Sequence, residues 1–313
     1  MQAPGDDAQA AEGLSPMRSL LFIPGDDERK LAKGVGCGAD ALILDLEDAV
    51  SSARKAAARA LTAQYVAATR ALKPRPLLYV RVNALETPYW EEDLAGIIGS
   101  RPDGVLLPKA RSGGDVHTLS IALNHAEERA GVDRGATRIL AITTEVPVSL
   151  LQMHSYVGSS SRLEGLSWGA EDLSGVLGAK VNREADGSWT SPYLLARSLC
   201  LFTAAAANAH PIDTVFVDLR DMAGLRSEAQ LAARDGFTAK MAIHPAQIPI
   251  INELFTPTAE EIGLAQELVE LFAQNPGAGV LAHRGQMVDR AHVVRAERIL
   301  ARAKSAIRSP APL

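Results

Sequence analysis

Three observations predict an α/β fold, a (β/α)8 TIM barrel followed by an appended C-terminal helical module. Eight short segments are apolar on consecutive positions, which suits strands covered on both faces, as in parallel sheets. Helix-like stretches lie between them. The polar residues that interrupt the pattern fall at the carboxyl ends of the apolar segments, where a parallel barrel gathers its chemistry.

The predicted strands are "SLLFIP" from Ser19, "ALILDL" from Ala41, "LLYVRV" from Leu77, "GVLLPK" from Gly104, "RILAIT" from Arg138, "LEGLSWG" from Leu163, "DTVFVD" from Asp213 and "KMAIHP" from Lys240. Helical spacing is clearest in "ERKLAKGVG", "ARKAAARALTAQYVAATRAL", "VHTLSIALNHAEERAG", "SPYLLARSLCLFTAAAANAH" and "LRSEAQLAARDGF". A doubly wound open sheet is the alternative. It is weakened because "IPGDDERK" after the first strand has one Gly, not a dinucleotide fingerprint. Beyond the eighth unit, Thr258 and Glu261 form a capping-box pattern before an amphipathic helix. "NPGAGVLAHRGQMVD" reads as a loop or hairpin and "RAHVVRAERILARA" as a final helix. The expected division is a disordered tail over 1–16, a barrel over 17–255 and a C-terminal module over 256–313.

The chain has 313 residues, 47% of them hydrophobic and 22% charged, with a net charge of −5. That supports a sizeable core and disfavours nucleic acid as a partner, since phosphate binding needs a basic face. No apolar run reaches the length of a membrane span. The first 16 residues lack a basic start and an apolar centre, so they do not read as a secretory signal. Cys37 and Cys200 lie far apart without metal-type spacing and read as free thiols of a reducing, cytoplasmic compartment.

Glu145 in "TTEVPVSLL" poses the functional question, because a buried strand should not end on an unpaired carboxylate. Its counterparts answer it. Asp45 and Glu47 close the second strand, Arg81 and Asn83 the third, and Lys109 the fourth. The sixth runs into "GAEDL" with Asp172, Asp218 ends the seventh and His244 the eighth. Asp45, Glu47, Asp48, Glu145 and Asp172 would converge at one mouth, where so many like charges repel unless a cation joins them. Oxygen-only ligands favour Mg²⁺, and Arg81 adds a planar fork for a carboxylate or an oxyanion. Structural alternatives stand beside these roles. Asp45 and Asp48 could cap or pair with the next helix, Arg81 could neutralise the acids, and Glu145 and Asp172 could cap helices. Lys109 could pair with an acid and His244 could serve a turn.

Taken together and in order, "RSLLFIPGDDERKLAK", "ADALILDLEDAV", "YVRVN", "DGVLLPK", "TTE", "GAEDL" and "AIHPAQI" resemble the citrate lyase β-subunit-like group of the HpcH/HpaI aldolase superfamily, which includes malyl-CoA and citramalyl-CoA lyases. The resemblance runs from about Arg18 to about Arg302. It implies a homotrimeric barrel that makes or breaks C–C bonds in CoA thioesters of 3-hydroxy acids with Mg²⁺. It implies that Glu145 and Asp172 are the Mg²⁺ ligands and that Arg81 binds the substrate's acid end and the enolate oxygen. By the same resemblance, Glu171 and Asp172 contact substrate through their backbone, Ile243 and His244 line the thioester, and Phe22 and Lys33 contact CoA. "GQMVDRAHVVRAERIL" is similar to the lid of the CoA-ester lyases, and Asp289 matches the acid that reaches a neighbouring subunit's site. Ala291 stands where Pro is expected there. "GDDERKLAK" is closer to the citramalyl-CoA lyase branch.

The implied reaction is cleavage of a citramalyl-CoA or malyl-CoA type substrate to acetyl-CoA and a 2-oxo acid. Arg81, Asp289, Asp45 and Glu47 are its candidate catalytic residues. The alternatives are a CoA-independent 2-oxo or hydroxy acid aldolase, a citrate lyase β-subunit, a thioesterase or malate-synthase-like activity, and a non-catalytic subunit.

Overall fold

The structure, a computed structural model, describes residues 17–306. Residues 1–16, where a tail is expected, and residues 307–313 lie outside the described residues. Eight parallel strands close into one barrel in chain order. They are β1 (Ser19–Pro24), β2 (Ala41–Asp45), β3 (Leu77–Arg81), β4 (Gly104–Leu107), β5 (Arg138–Ile142), β6 (Leu163–Ser167), β7 (His210–Asp213) and β8 (Ala239–Ala242). β8 pairs with β1 and completes the ring. Around it run α1 (Glu28–Gly34), α2 (Lys55–Arg70), α3 (Trp90–Ile97), α4 (Gly113–Ala130), α5 (Pro147–Leu150), α6 (Ala170–Leu177), α7 (Ser191–Ala206), α8 (Met222–Asp235) and α9 (Ile248–Phe255).

The continuous apolar runs follow from burial on both faces. Ala41, Ile43, Tyr79, Leu106, Leu140, Ile212 and Met241 form one cluster, which fills the barrel. Their strand neighbours Leu42, Leu44, Leu78, Val80 and Val105 belong to a second cluster under the helices. Tyr79 fits inside because its neighbour on β4 is Gly104, where a Cβ would stand 2.5 Å from the Tyr79 ring. Helix ends follow local chemistry. Asp27 caps α1 by accepting from the N–H groups of Arg29 and Lys30, both at 3.1 Å. α4 stops at Gly131, whose φ of 63° is the left-handed region that favours glycine.

One predicted strand is displaced. β7 is His210–Asp213, not a segment running to Asp218. Pro211 lies inside the strand, paired with Leu166, and a proline within a run signals against a central strand. The apolar "TVFV" after it reads more strongly but forms the following loop. The acid closing β7 is therefore Asp213, buried against Lys240 at 2.6 Å. Asp218 is exposed in the loop and accepts from the Arg220 N–H at 2.9 Å.

After α9 come α10 (Ala259–Gln274), β9 (Val280–His283), β10 (Gln286–Asp289) and α11 (Arg290–Ala306). Thr258 and Glu261 make both bonds of the capping box. β9 and β10 form the hairpin, joined by Arg284 and Gly285, whose φ values of 49° and 78° fit a two-residue turn. Ala265, Leu268, Phe272, Val288, Val293 and Ala296 give these elements a core of their own. α10 and α11 sit beside the amino-terminal end of the barrel. A cavity of about 670 Å³ between them is lined by Arg18, Asp40 and Thr238 from below the strands and by Leu268, Arg295 and Ile299 from the module.

Candidate active site at the barrel mouth

The carboxyl ends of β2 to β6 bring Asp45, Glu47, Arg81, Lys109, Glu145 and Asp172 together. Arg81, at the end of β3, is the hinge of the cluster. Its Nε and one Nη donate to the two oxygens of Asp45 at 2.7 and 2.6 Å. Asp45 also accepts from the N–H groups of Glu47 at 2.8 Å and Ala49 at 3.1 Å. Both of its oxygens are thus occupied, which makes Asp45 an anchor that fixes the guanidinium plane. The Arg81 guanidinium also lies 4.9 Å from the centre of the Phe22 ring. Burial works against its charge, but the bonds to Asp45 outweigh burial and raise its pKa.

Glu47 is held differently. One oxygen accepts from the Lys109 ammonium. The other, Oε2, is 3.0 Å from an Arg81 nitrogen, yet it is buried with no hydrogen bond because it lies off the N–H directions. Burial raises the Glu47 pKa despite both cations. Asp48 is more exposed and pairs with Lys109 at 2.9 Å.

Glu145 follows β5 and is 2% exposed. It accepts a short hydrogen bond from the backbone N–H of Lys109. Burial, with the Asp172 charge adding to it, pushes its pKa up to about 8. Its seat depends on Gly169, where a Cβ would come within 2.6 Å of Glu145 Cγ. The Gly169 N–H donates to Thr144 Oγ1 at 3.0 Å and ties the two loops together. Asp172 stands in the first turn of α6, 3.6 Å from the Lys109 ammonium. Neither carboxylate serves as a helix cap: α5 and α6 show no side-chain capping bond.

The donor set suits a hard cation. Glu145 and Asp172 offer oxygens only, and the raised pKa of Glu145 marks a site short of positive charge. Among the described residues, no three His, Cys, Asp or Glu side chains form a group able to hold a metal alone. Mg²⁺ commonly takes one or two carboxylates and keeps its remaining positions for water and substrate.

The other predicted residues fall around this cluster or away from it. Glu171 is exposed and accepts from Asn182 at 3.0 Å. Ile243 and His244 follow β8 and are exposed. His244 caps the next turn, its Nδ1 accepting from the Ala246 N–H at 3.1 Å. Lys33 is exposed in the last turn of α1. Asp289 stands outside the cluster, at the module beside the opposite end of the barrel. It caps α11 by accepting from Ala291 at 3.0 Å and pairs with His292 at 2.8 Å.

The profile of the HpcH/HpaI aldolase/citrate lyase family matches residues 18–245. The chain belongs to this family. Membership makes it an enzyme of the carbon–carbon lyase class, and the family depends on magnesium. The citrate lyase subunit beta of Leuconostoc mesenteroides subsp. cremoris is 34% identical over 285 residues, 90% of this chain and 92% of that protein. The L-malyl-CoA/beta-methylmalyl-CoA lyase of Cereibacter sphaeroides is 31% identical over 316 residues, 95% of this chain and 97% of the relative. Among solved structures, Mycobacterium tuberculosis CitE in complex with magnesium, acetoacetate and coenzyme A is 33% identical. It superposes with a TM-score of 0.72 over 93% of this chain and 99% of its own.

Lys109 is the residue whose weight the sequence understates. Its position after β4 was legible, but its simultaneous contact with four acids was not. Its φ of 51°, unusual for a residue other than glycine, leaves no trace in composition or periodicity.

Proposed function

We propose that this protein is a Mg²⁺-dependent lyase that cleaves a 3-hydroxyacyl-CoA of the citramalyl-CoA or malyl-CoA type to acetyl-CoA and a 2-oxo acid. The observation that carries the reading is the rigid Arg81–Asp45 pair set beside the buried Glu145 and the half-buried Asp172. A guanidinium fixed by Asp45, with its other Nη outside that pair, thus adjoins two oxygen ligands for a cation. Family membership supplies the reaction class, and the malyl-CoA lyase and CoA-bound relatives support a CoA ester as substrate.

In this reading Glu145 and Asp172 would hold a magnesium ion. The ion would act as a Lewis acid toward the oxygens of the 2-oxo acid half. Arg81 orients the substrate's acid end and stabilises the enolate oxygen, kept in register by Asp45 and Phe22. Glu47, with its unbonded Oε2, is placed to take the hydroxyl proton, and burial, which raises its pKa, makes it a stronger base than an exposed carboxylate. Ile243 and His244 border the mouth where the thioester would lie, the Glu171 backbone touches the acid half, and Lys33 and Phe22 serve the CoA side.

Asp289 caps a helix far from its own mouth, so it serves catalysis only by reaching another copy. We therefore propose a homotrimer in which the module over 256–313 closes a neighbour's barrel, formed by residues 17–255, and Asp289 moves the proton at the enolate carbon. Cys200 is buried and Cys37 half-buried, both as free thiols. No helix among the described residues is long and apolar enough to cross a membrane.

The test is a coupled assay with Mg²⁺ on citramalyl-CoA, malyl-CoA and free citramalate, following acetyl-CoA, free CoA and the 2-oxo acid together. Equal release of acetyl-CoA and pyruvate or glyoxylate is expected. Release of free CoA would assign thioester hydrolysis instead. Cleavage of free citramalate alone would assign a CoA-independent aldolase.

A further inference from the structure

Lys109 touches every acid of the mouth except the Arg81 anchor, and it does so with two different groups. Its backbone N–H donates to Glu145, while its ammonium contacts Glu47, reaches Asp48 at 2.9 Å and stands 3.6 Å from Asp172. A residue after a strand does not ordinarily present both its N–H and its side chain to one cluster. Here the chain turns into the left-handed region at Lys109, with φ of 51°. That conformation is unfavourable for a residue with a Cβ and persists only where the surroundings enforce it. Glycine would adopt it freely. A lysine there points to a task for the ammonium.

The ammonium is not a conventional buried salt bridge. Its side chain is 29% exposed, and its partners run from the buried Glu47 through the half-buried Asp172 to the exposed Asp48. The Asp172 contact is the longest of the three, and the Asp172 charge is one of those that raise Glu145. We propose that Lys109 is a positioning residue for the cation site, with its N–H aiming the Glu145 carboxylate. Its ammonium is a built-in counter-charge that competes with the metal at Asp172 and keeps its hold on Glu47 and Asp48 once the metal is bound. The inference rests on Glu145 and Asp172 as the cation ligands.

A lysine that only braced the mouth would act on stability and leave cation affinity untouched or weaker. A competing counter-charge makes the opposite prediction, since removing one positive charge a few ångströms away strengthens cation binding. Calorimetric titration of the purified full chain with Mg²⁺, in low salt without substrate, separates the two. For Lys109→Met, Mg²⁺ affinity should rise about tenfold, the scale of one lost like charge at this separation. Lys109→Gly should show the same gain, with a melting temperature no lower than that of Lys109→Met because glycine relaxes the backbone. Lys109→Arg should stay near wild type in affinity. Unchanged or weaker Mg²⁺ binding by both Lys109→Met and Lys109→Gly would overturn the inference. Glu145→Gln and Asp172→Asn, run alongside, test the ligands themselves. If they lose Mg²⁺ binding while the Lys109 variants show no gain, Lys109 alone is misread. If they bind as wild type does, the ligand assignment fails and this inference falls with it.

Discussion

The two ends of the barrel handle charge in opposite ways. At the amino-terminal end the ion pairs are complete. Arg18 grips both oxygens of Asp40 at 2.8 Å each. Arg162 binds Glu127, whose other bonds come from the N–H groups of Gly135 and Thr137 at 2.8 Å. Burial alone would raise the Glu127 pKa, but these bonds override it and bring it below the ordinary value. At the carboxyl end burial prevails over the bonds of two glutamates. Glu145 and Glu47 are both raised, and one Glu47 oxygen has no hydrogen bond at all. One end has matched its charges within the chain, which serves stability. The other leaves them short of a partner, as a site awaiting a cation and an acid would.

Substitutions at the two ends should therefore separate activity from stability. Short of removing a metal ligand, the largest effect is expected for Arg81→Lys, which keeps the charge but cannot fork onto Asp45. Its kcat/KM should fall by about 10³-fold with a melting temperature near wild type. A fall of less than about threefold would show that the planar fork is not used.

At the other end, Arg162→Ala strands the buried Glu127 carboxylate. Denaturant unfolding should show a loss of about 3 kcal/mol, while kcat/KM of the folded protein stays within about twofold. The loss should be largest near neutral pH. Glu127 is lowered in the folded protein, so its contribution is present above its unfolded value and disappears as pH falls through the folded one. Equal stability of variant and wild type at neutral pH would remove the contrast between the two ends.

A smaller effect concerns the metal. Glu145 must shed its proton to bind a cation, and its pKa is about 8 without one. Mg²⁺ affinity should therefore climb by up to about tenfold per pH unit between 6 and 8 and level off above. Titrations at four pH values check this, and a flat profile would contradict the raised carboxylate. The most modest effect is expected for Gly169→Ala, whose Cβ would press on Glu145 Cγ at 2.6 Å. Turnover should drop by about tenfold as the carboxylate is displaced, measured beside its Mg²⁺ affinity.

How much of this could be read from sequence follows the same division. Strand ends betray themselves when a charged residue interrupts an apolar run, so Asp45, Arg81, Glu145 and Asp172 were all visible. β7 was not, because Pro211 broke the strand signal and the apolar "TVFV" drew the assignment onward to Asp218. The placement of Asp45 at the mouth was legible, but its use as a saturated anchor needs the four bonds it accepts. The left-handed turn at Lys109 and the close approach of Gly169 to Glu145 depend on how distant loops meet, which no local pattern encodes.

The most direct measurement is the paired turnover and thermal melting of Glu145→Gln in metal-free and Mg²⁺-loaded protein. The folded protein holds the Glu145 proton more tightly than the unfolded chain, whose value is near 4.5. Between pH 4.5 and 8 this group therefore lowers the stability of the metal-free fold as pH rises. Glutamine should abolish turnover and the Mg²⁺-induced rise in melting temperature, while the metal-free variant melts at or above wild type near pH 8. A Glu145→Gln protein that turns over normally and is still stabilised by Mg²⁺ would contradict the assignment of the barrel mouth as a magnesium-dependent active site.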